Sequence, residues 1–240
     1  MFDDAHWIEV PAVADAVTRL SRFNLYCDNS EEPLASSPRV LDLCCGFGRI
    51  SAELARMGLA VTGVDITETY LKTAREEAEY ENLEIEYIQA DARKFSRPEF
   101  FDAAVNLYIS FGYFSDQKDD LLVLRNVYES LKKGGSFIIE TLGKEIAVRD
   151  FVEAEWFERA GFTVLTEYEA LDSWTFLKNR WILIKDEKKL EKTFTQRLYS
   201  ASELRTLLHE AGFKKVEIYG NWDESPYDRR AAKLIAVGRK

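Results

Sequence analysis

The sequence predicts an α/β protein with an open, doubly wound sheet and an antiparallel β lid inserted after the fifth strand. Three observations favour this fold. Residues 40–57 read as a buried strand, a glycine turn and a helix. Apolar runs then alternate with amphipathic stretches up to Thr141, and three segments with period-two alternation follow between Thr163 and Tyr199. The first pattern is typical of a parallel sheet covered on both faces, and the second of an antiparallel sheet.

Composition narrows the class of protein. A chain of 240 residues that is 46% hydrophobic and 13% aromatic can bury one substantial core. Its net charge of -10 disfavours a broad phosphate-binding surface and therefore a nucleic-acid partner. The first ten residues lack the basic and apolar regions of a signal peptide, and no apolar run approaches the roughly 20 residues of a membrane span. We therefore expect a cytoplasmic protein.

The first strand and its turn are residues 40–51, VLDLCCGFGRIS. Gly46 and Gly48 permit positive φ and let the backbone approach a ligand, and the helix that follows presents free N–H groups. A dinucleotide-binding G-x-G-x-x-G fingerprint would need Gly or Ala at the third position, where this chain has Ser51. The spacing from Asp42 onward fits D-x-x-x-G-x-G better.

Acidic residues follow the next two predicted strands. Leu59–Val64 ends at Asp65, whose carboxylate can accept two hydrogen bonds from ribose hydroxyls, a feature that nicotinamide enzymes share. Leu83–Gln89 is followed by Asp91, and an ionised carboxylate suits an exocyclic amine because it only accepts hydrogen bonds. A solvated loop side chain is the alternative for Asp91. Asp65 by itself therefore indicates an adenosine-containing ligand at this edge of the sheet.

The remaining core elements follow from the same periodicities. The N-terminal helical segment at residues 4–25 either covers the sheet or closes over the ligand, and a polar loop, Cys27–Pro38, follows it. The other predictions are a helix Glu68–Glu81 capped by Thr67, a strand Phe101–Leu107, a helix Asp116–Leu131, a strand Ser136–Thr141, a helix Ser202–Ala211 with a capping box of Ser200 and Glu203, and strands Lys214–Tyr219 and Ala232–Gly238.

Three ordered motifs resemble those of the class I S-adenosylmethionine (SAM) dependent methyltransferases. Asp42–Gly48 resembles motif I, IQADARKF at 88–95 resembles the adenine-binding motif, and LKKGG at 131–135 resembles L-K-P-G-G. The resemblance implies a Rossmann-like seven-stranded sheet whose last strand runs antiparallel, and SAM as methyl donor with S-adenosylhomocysteine as product. The N-P-P-Y or D-P-P-Y of enzymes that methylate bases or glutamine is missing after Asn106, which favours a small-molecule acceptor with an N or O nucleophile.

The resemblance also implies a set of cofactor-binding residues. They lie in the glycine turn and at the ends of the second, third and fourth strands, where ligands bind in open α/β sheets. They are Asp42, Cys44, Gly46, Gly48, Asp65, Ile66, Asp91, Ala92, Asn106 and Leu107.

Aromatic and basic residues after the fourth strand and on the lid form the predicted substrate pocket. They are Tyr108, Phe111, Tyr113, Trp174, Arg180, Trp181, Arg197 and Tyr199. Each lid residue has packing as its alternative role. An oxygen acceptor would need a general base, for which Tyr108, Tyr199 and His6 are candidates, but the spacing identifies no catalytic group. No cluster with metal-ligand spacing is present, so no metal is predicted.

These elements predict four regions: residues 1–38 as a helical cap and linker, 39–143 as the SAM-binding core, 144–199 as the lid, and 200–240 as the last helix and strands. Two alternatives to a methyltransferase stay open at this point. One is an NAD(P)-dependent oxidoreductase with the same glycine turn. The other is a SAM-binding protein without transferase activity.

Overall fold

A computed structural model describes residues 8–23, 37–186 and 188–240. Its strands are β1 Arg39–Leu43, β2 Ala60–Asp65, β3 Ile85–Gln89, β4 Phe101–Asn106, β5 Leu131–Thr141, β6 Ala154–Arg159, β7 Phe162–Leu171, β8 Phe176–Lys185, β9 Lys188–Arg197, β10 Lys215–Tyr219 and β11 Leu234–Arg239. Its helices are α1 Val10–Ser21, α2 Arg49–Arg56, α3 Glu68–Tyr80, α4 Gln117–Ser130, α5 Lys144–Arg149 and α6 Ala201–Ala211.

The core is a seven-stranded sheet in the order β10-β11-β5-β4-β1-β2-β3. β11 pairs antiparallel with β5 and β10, whereas the other neighbours pair parallel. Helices α1 and α2 pack their apolar residues on one face of the sheet, and α4 and α6 pack on the other. The predicted doubly wound sheet with an antiparallel last strand is therefore confirmed.

Local chemistry at the element ends departs from the prediction in two places. Thr67 precedes α3, but its side chain makes no capping bond; its N–H instead donates to Asp65 Oδ1 at 2.8 Å. The fifth strand begins at Leu131, which pairs with Phe101, and the register shifts across the Gly-Gly stretch before Ser136 pairs with Ala103. The capping box of Ser200 and Glu203 is present at α6.

The lid is a four-stranded antiparallel sheet in the order β6-β7-β8-β9, inserted after β5. The three predicted segments correspond to β7, β8 and β9. Strand β6 was missed because its residues, AEWFER, are mostly exposed and do not alternate, and α5 was missed because it has six residues. The predicted boundaries of the four regions stay a prediction.

Backbone bonds fix the end of the lid against the core. Arg197 N–H donates to Gly112 O at 2.7 Å, and Lys144 N–H donates to Tyr199 O at 2.9 Å. The Tyr199 hydroxyl, in a buried side chain, donates to Asp120 Oδ2 at 2.7 Å. These contacts hold the lid over the edge where the parallel strands end.

Candidate active site

Three neighbouring cavities lie along the carboxyl ends of the parallel strands. The turn cavity, of about 240 Å³, lies at the glycine turn and is lined by residues that include Asp42 and Gly46. The central cavity, of about 550 Å³, is lined by Asp65 and Asp91. The lid cavity, of about 490 Å³, lies between the loop after β4 and the lid sheet. Tyr108 lines all three, so they share one wall.

The two glycines of the turn have different reasons to be glycine. Gly46 has a φ of 56°, and a Cβ added there would meet nothing within 4 Å. Its backbone is therefore open to the turn cavity, as predicted. Gly48 has a φ of 73°, and a Cβ there would overlap the hydroxyl of Tyr87. The predicted positive φ is present, and packing against Tyr87 is a further reason for a glycine here. Gly48 lines none of the three cavities, and its contact with the cofactor stays a prediction.

The acidic residues after β2 and β3 come together at the central cavity. Asp65 accepts from Gly46 N–H at 2.9 Å, so the carboxylate at the end of β2 is joined to the turn. Asp91 is bonded by Arg93, whose Nη2 lies 2.6 Å from Oδ2, and this hydrogen bond lowers the pKa of Asp91 to about 2. Each oxygen of Asp65 accepts one backbone N–H and keeps a second lone pair, so Asp65 can accept further hydrogen bonds. Both oxygens of Asp91 already accept from Arg93, through its backbone N–H, Nε and Nη2.

Asp42 and Cys44 shape the start of the turn. Asp42 is buried, which raises its pKa to about 6, and it accepts a 2.6 Å hydrogen bond from Ser51 in the first turn of α2. Cys44 has a φ of 63° and donates its N–H to Val64 O at 2.7 Å. Burial raises the pKa of its thiol to about 12, so the sulfur stays protonated. These hydrogen bonds join the turn after β1 to strand β2 and to helix α2.

Four more predicted cofactor residues line these cavities. Ile66, Ala92 and Asn106 line the central cavity, and Leu107 lines the turn cavity. Asn106 is buried, and its Nδ2 donates to Leu43 O at 2.9 Å. Its Oδ1 is buried without a hydrogen-bond partner among the described residues. Because such an acceptor is costly to leave unpaired, this wall fits a ligand that carries N–H or O–H groups.

The loop after β4 has an unusual backbone. Tyr108 and Ile109 have φ angles of 55° and 60°, a conformation that costs of the order of 1–3 kcal/mol each for residues other than glycine. Buried Glu140 accepts from Tyr108 N–H at 2.6 Å and helps to hold this conformation. On the other side, the guanidinium of Arg49 lies 4.6 Å from the centre of the Tyr108 ring.

Glu140 and Arg49 are site residues that the sequence reasoning missed. Burial raises the pKa of Glu140, and Lys233 lies 3.6 Å away. Arg49 is also buried and lines the turn cavity. The available signal was a charged residue inside an otherwise apolar strand, FIIET at 137–141, because charges are rarely buried without a partner.

Four of the eight predicted pocket residues line the cavities, namely Tyr108, Phe111, Tyr113 and Trp181. Two others are corrected by strand geometry. Arg180 precedes Trp181 on β8 and so faces the opposite side of the lid, where it pairs with Glu167 and Glu191 at 2.7 Å each. Trp174 lies in the turn before β8 and packs its ring 5.0 Å from that of Phe151.

Arg197 and Tyr199 belong to the joint between lid and core, which is a second correction. The Nη2 of Arg197 donates to Ser115 O at 2.8 Å, and its Nε lies 3.8 Å from Asp120. Tyr199 donates its hydroxyl to the same carboxylate, and burial raises its pKa, so it is not placed to act as a base. Neither residue lines any of the three cavities. His6 lies outside the described residues.

Two further searches cover only part of the chain. Within the described ranges, no helix is long and apolar enough to cross a membrane. Within the same ranges, no three or more His, Cys, Asp or Glu side chains are grouped so that they could hold a metal ion. The cytoplasmic location stays a prediction.

Comparison with known proteins finds a matching domain model and solved structures of similar fold. Residues 40–135 match the family model described as a methyltransferase domain. A ubiquinone biosynthesis O-methyltransferase of Ruegeria pomeroyi is 33% identical over 135 residues, which is 56% of this chain and 53% of that protein. The CcbJ methyltransferase of Streptomyces caelestis has a similar fold, with a TM-score of 0.80 at 20% identity over 96% of this chain and 89% of its own.

A second solved structure holds the cofactor. It is SAM-bound CalS10, an amino pentose methyltransferase from Micromonospora echinaspora, with a TM-score of 0.69 at 16% identity over 98% of this chain and 92% of its own. SAM carries an amino group on adenine, ribose hydroxyls and an ammonium, all of them donors that suit Asp65, Asp91 and the free Oδ1 of Asn106. The matched domain and the strand order support a class I S-adenosylmethionine-dependent methyltransferase family for this chain.

Proposed function

We propose that the protein transfers a methyl group from SAM to a nitrogen or oxygen of a small molecule, with the cofactor in the turn and central cavities and the acceptor in the lid cavity. The observation that carries this proposal is the row of three cavities with one shared wall. Tyr108 lines all three, and Tyr113 lines the central and lid cavities. A methyl group that reaches this wall from one side is accessible to an acceptor on the other.

The cofactor roles follow from the acceptors on the cavity walls. Asp65 would take the ribose hydroxyls, because its carboxylate lies at the border of the turn and central cavities. Asp91 would take the adenine amino group, and Asn106 Oδ1 would take a further N–H or O–H. Asp42 and Cys44 would hold the turn in place under the methionine part. Gly46 would leave room for that part.

The chemistry needs little from the protein beyond placement. The bound cofactor supplies a methyl group made electrophilic by a sulfonium. A lone pair of the acceptor forms the new bond to this carbon, and the electrons of the broken carbon–sulfur bond stay on sulfur. Alignment of the two reactants can supply roughly 7–11 kcal/mol. The rings of Tyr108, Phe111 and Tyr113 would add cation–π attraction of the order of 1 kcal/mol.

Known relatives support a small-molecule acceptor. The names of the Ruegeria pomeroyi enzyme and of CalS10 describe methyl transfer in ubiquinone biosynthesis and to an amino pentose. The net charge of -10 and the missing N-P-P-Y motif both speak against a nucleic-acid substrate. The match of residues 40–135 to a methyltransferase domain disfavours the nicotinamide alternative.

The test is cofactor binding followed by transfer. S-adenosylhomocysteine should raise the melting temperature, because a ligand that binds only the folded state stabilises it, whereas NADH should not. Labelled methyl from SAM should then appear on a member of a panel of small amines, phenols and alcohols. A protein that binds the cofactor but labels nothing in the panel would favour the silent SAM-binding alternative. Absence of any thermal shift would contradict the proposal.

A further inference from the structure

The lid cavity has a distinctive composition. Among the described residues that line it there are two carboxylates, Asp150 and Glu155, and no lysine, arginine or histidine. Six aromatic side chains line the same space: Tyr108, Tyr113, Phe151, Tyr168, Trp181 and Phe194. Aromatic faces and carboxylates both attract a cation, whereas neither attracts an anion. The lining therefore favours a ligand with an apolar body and a positive group.

Strand register explains how these groups come to one face. Thr166 on β7 pairs with Glu155 on β6 and with Trp181 on β8, which places the three in one row across the lid sheet. Asn179 on β8 pairs with Tyr168 and with Phe194, which forms the next row on the same face. Since side chains alternate along a strand, neighbouring rows two residues apart face the same side. The carboxylate of Glu155 thus lies at one edge of an aromatic surface.

The two carboxylates differ in their availability. Asp150 accepts two hydrogen bonds from Arg149, at 2.8 and 2.6 Å, and this partner lowers its pKa. Its charge is therefore compensated locally. Glu155 has the Tyr168 hydroxyl at 3.4 Å and makes no ion pair with a described residue. Glu155 is thus the carboxylate that can answer a cationic group of a ligand.

The cavity offers little to an alcohol acceptor. Oxygen nucleophiles need a group that takes their proton, and a neutral amine does not. Burial raises the pKa of the hydroxyls of Tyr108, Tyr113 and Tyr168, so these phenols stay protonated near neutral pH. Arg149 lowers the pKa of Asp150, which makes this carboxylate a weaker base. Amine methylation is the reaction that this lining can support without another residue.

One buried donor adds a further requirement. Trp181 lines the lid cavity, and its Nε1 is buried without a hydrogen-bond partner among the described residues. The indole N–H can only donate, and a buried unpaired donor is unfavourable. A ligand oxygen that accepts this hydrogen bond would satisfy it. The same molecule would then place its amine toward Glu155, in the cavity that Tyr108 also lines.

We propose that the lid cavity takes a small amine that has an apolar body and an oxygen acceptor, and that Glu155 and Trp181 determine this choice. The inference rests on the proposed function. In the reaction, the lone pair of the neutral amine forms the N–C bond, the electrons of the carbon–sulfur bond stay on sulfur, and the new ammonium releases a proton to solvent. Glu155 and the rings stabilise the ammonium before that release.

The test measures binding to the protein saturated with S-adenosylhomocysteine. The matched probes are 4-methoxybenzylamine, 4-methoxybenzyl alcohol and benzylamine. Their binding is measured by calorimetry or ligand NMR. We expect the methoxy amine to bind at least about tenfold more tightly than the alcohol. Glu155→Gln should remove most of this difference, and Trp181→Phe should remove the advantage of the methoxy amine over benzylamine. Glu158→Gln, on the same strand but on its opposite face, should change neither.

The outcomes separate this inference from the proposed function. Equal binding of amine and alcohol, no binding of either probe, or no effect of Glu155→Gln would overturn the inference, while a thermal shift with S-adenosylhomocysteine would leave the cofactor assignment intact. In turnover, the rate should rise with pH up to the pKa of the amine and shift when the amine is changed. Methylation of alcohols that is lost in His6→Ala would also overturn the inference.

Discussion

The cofactor side and the lid side of this site are built by different rules. On the cofactor side, the functional groups stand where parallel strands end, and Asp65 meets the Gly46 turn at 2.9 Å because β1 and β2 are neighbours. On the lid side, the position of a residue along its strand does not determine whether its side chain lines the cavity, because neighbouring side chains face opposite sides of the sheet. Arg180 and Trp181 are adjacent in sequence, yet one faces outward and the other lines the cavity. The first side depends on strand ends, and the second on strand faces.

The largest difference in effect between the two sides should come from Asp65→Ala, which changes cofactor binding. Loss of two charge-assisted hydrogen bonds to the ribose should weaken S-adenosylhomocysteine binding by about 4 kcal/mol, or about 1,000-fold, as measured by calorimetry. Trp181→Phe, on the lid side, should leave this affinity unchanged. A similar loss in both variants would mean that the cofactor reaches the lid.

A pH-dependent effect is expected at the joint between the two sides. Burial raises the pKa of Asp120 from 3.8 to about 6, so the folded state holds this proton more tightly than the unfolded chain. Its contribution to stability is complete below about pH 4 and is lost as pH rises through 6. Asp120→Asn removes this loss and can still accept from Tyr199.

The measurement is denaturant unfolding of both proteins at pH 4 and pH 7. The stability of Asp120→Asn relative to the parent should increase between these pH values by about 3 kcal/mol. A difference that does not change with pH would show that this carboxyl titrates normally. The pH-dependent contribution of Asp42 to stability cancels in this comparison, because Asp42 is present in both proteins.

The two glycines of the turn should separate folding from binding. Gly48→Ala should lower the free energy of unfolding by about 2 kcal/mol, because it combines a positive φ with overlap on Tyr87. Tyr87→Phe in the same chain should restore part of this loss. Gly46→Ala should cost about 1 kcal/mol of stability but weaken S-adenosylhomocysteine, because its Cβ enters the turn cavity. Equal effects on stability would contradict the separate roles.

The smallest effect should come from the outer face of the lid. Arg180→Met removes two solvent-screened ion pairs in which the arginine side chain is 37% exposed, so the free energy of unfolding should change little. The Michaelis constant for the acceptor should not change. A large change in that constant would place the outer face in contact with the acceptor and refute the assignment of faces.

The sequence predicted the strands and the turn of the cofactor side well because their signals are local. A strand, a glycine turn and an acid residue at a strand end are each read within about ten residues, and the parallel order then brings Asp65 and Asp91 to one edge. The prediction of the lid was wrong where the outcome depends on residues far away in the sequence or on a strand without an alternating pattern. Whether Tyr199 lines a cavity depends on Asp120, which lies 79 positions away, and β6 has no alternation of its own. The packing of Gly48 against Tyr87 was missed for the same reason, because Tyr87 lies on β3.

The loop after β4 carries a consequence for how acceptor choice can change. Glu140 holds its first residue from the core, and Gln196 of the lid donates to Phe111 O at 3.0 Å, so both partners clamp the same few peptide units. Any substitution that moves this loop changes the shape of the cofactor cavities and of the lid cavity together. Substitutions at the inward positions of β6 and β8, outside this loop, can therefore change the preference for the acceptor without loss of methyl-donor binding. Laboratory diversification of acceptor choice should begin at these positions.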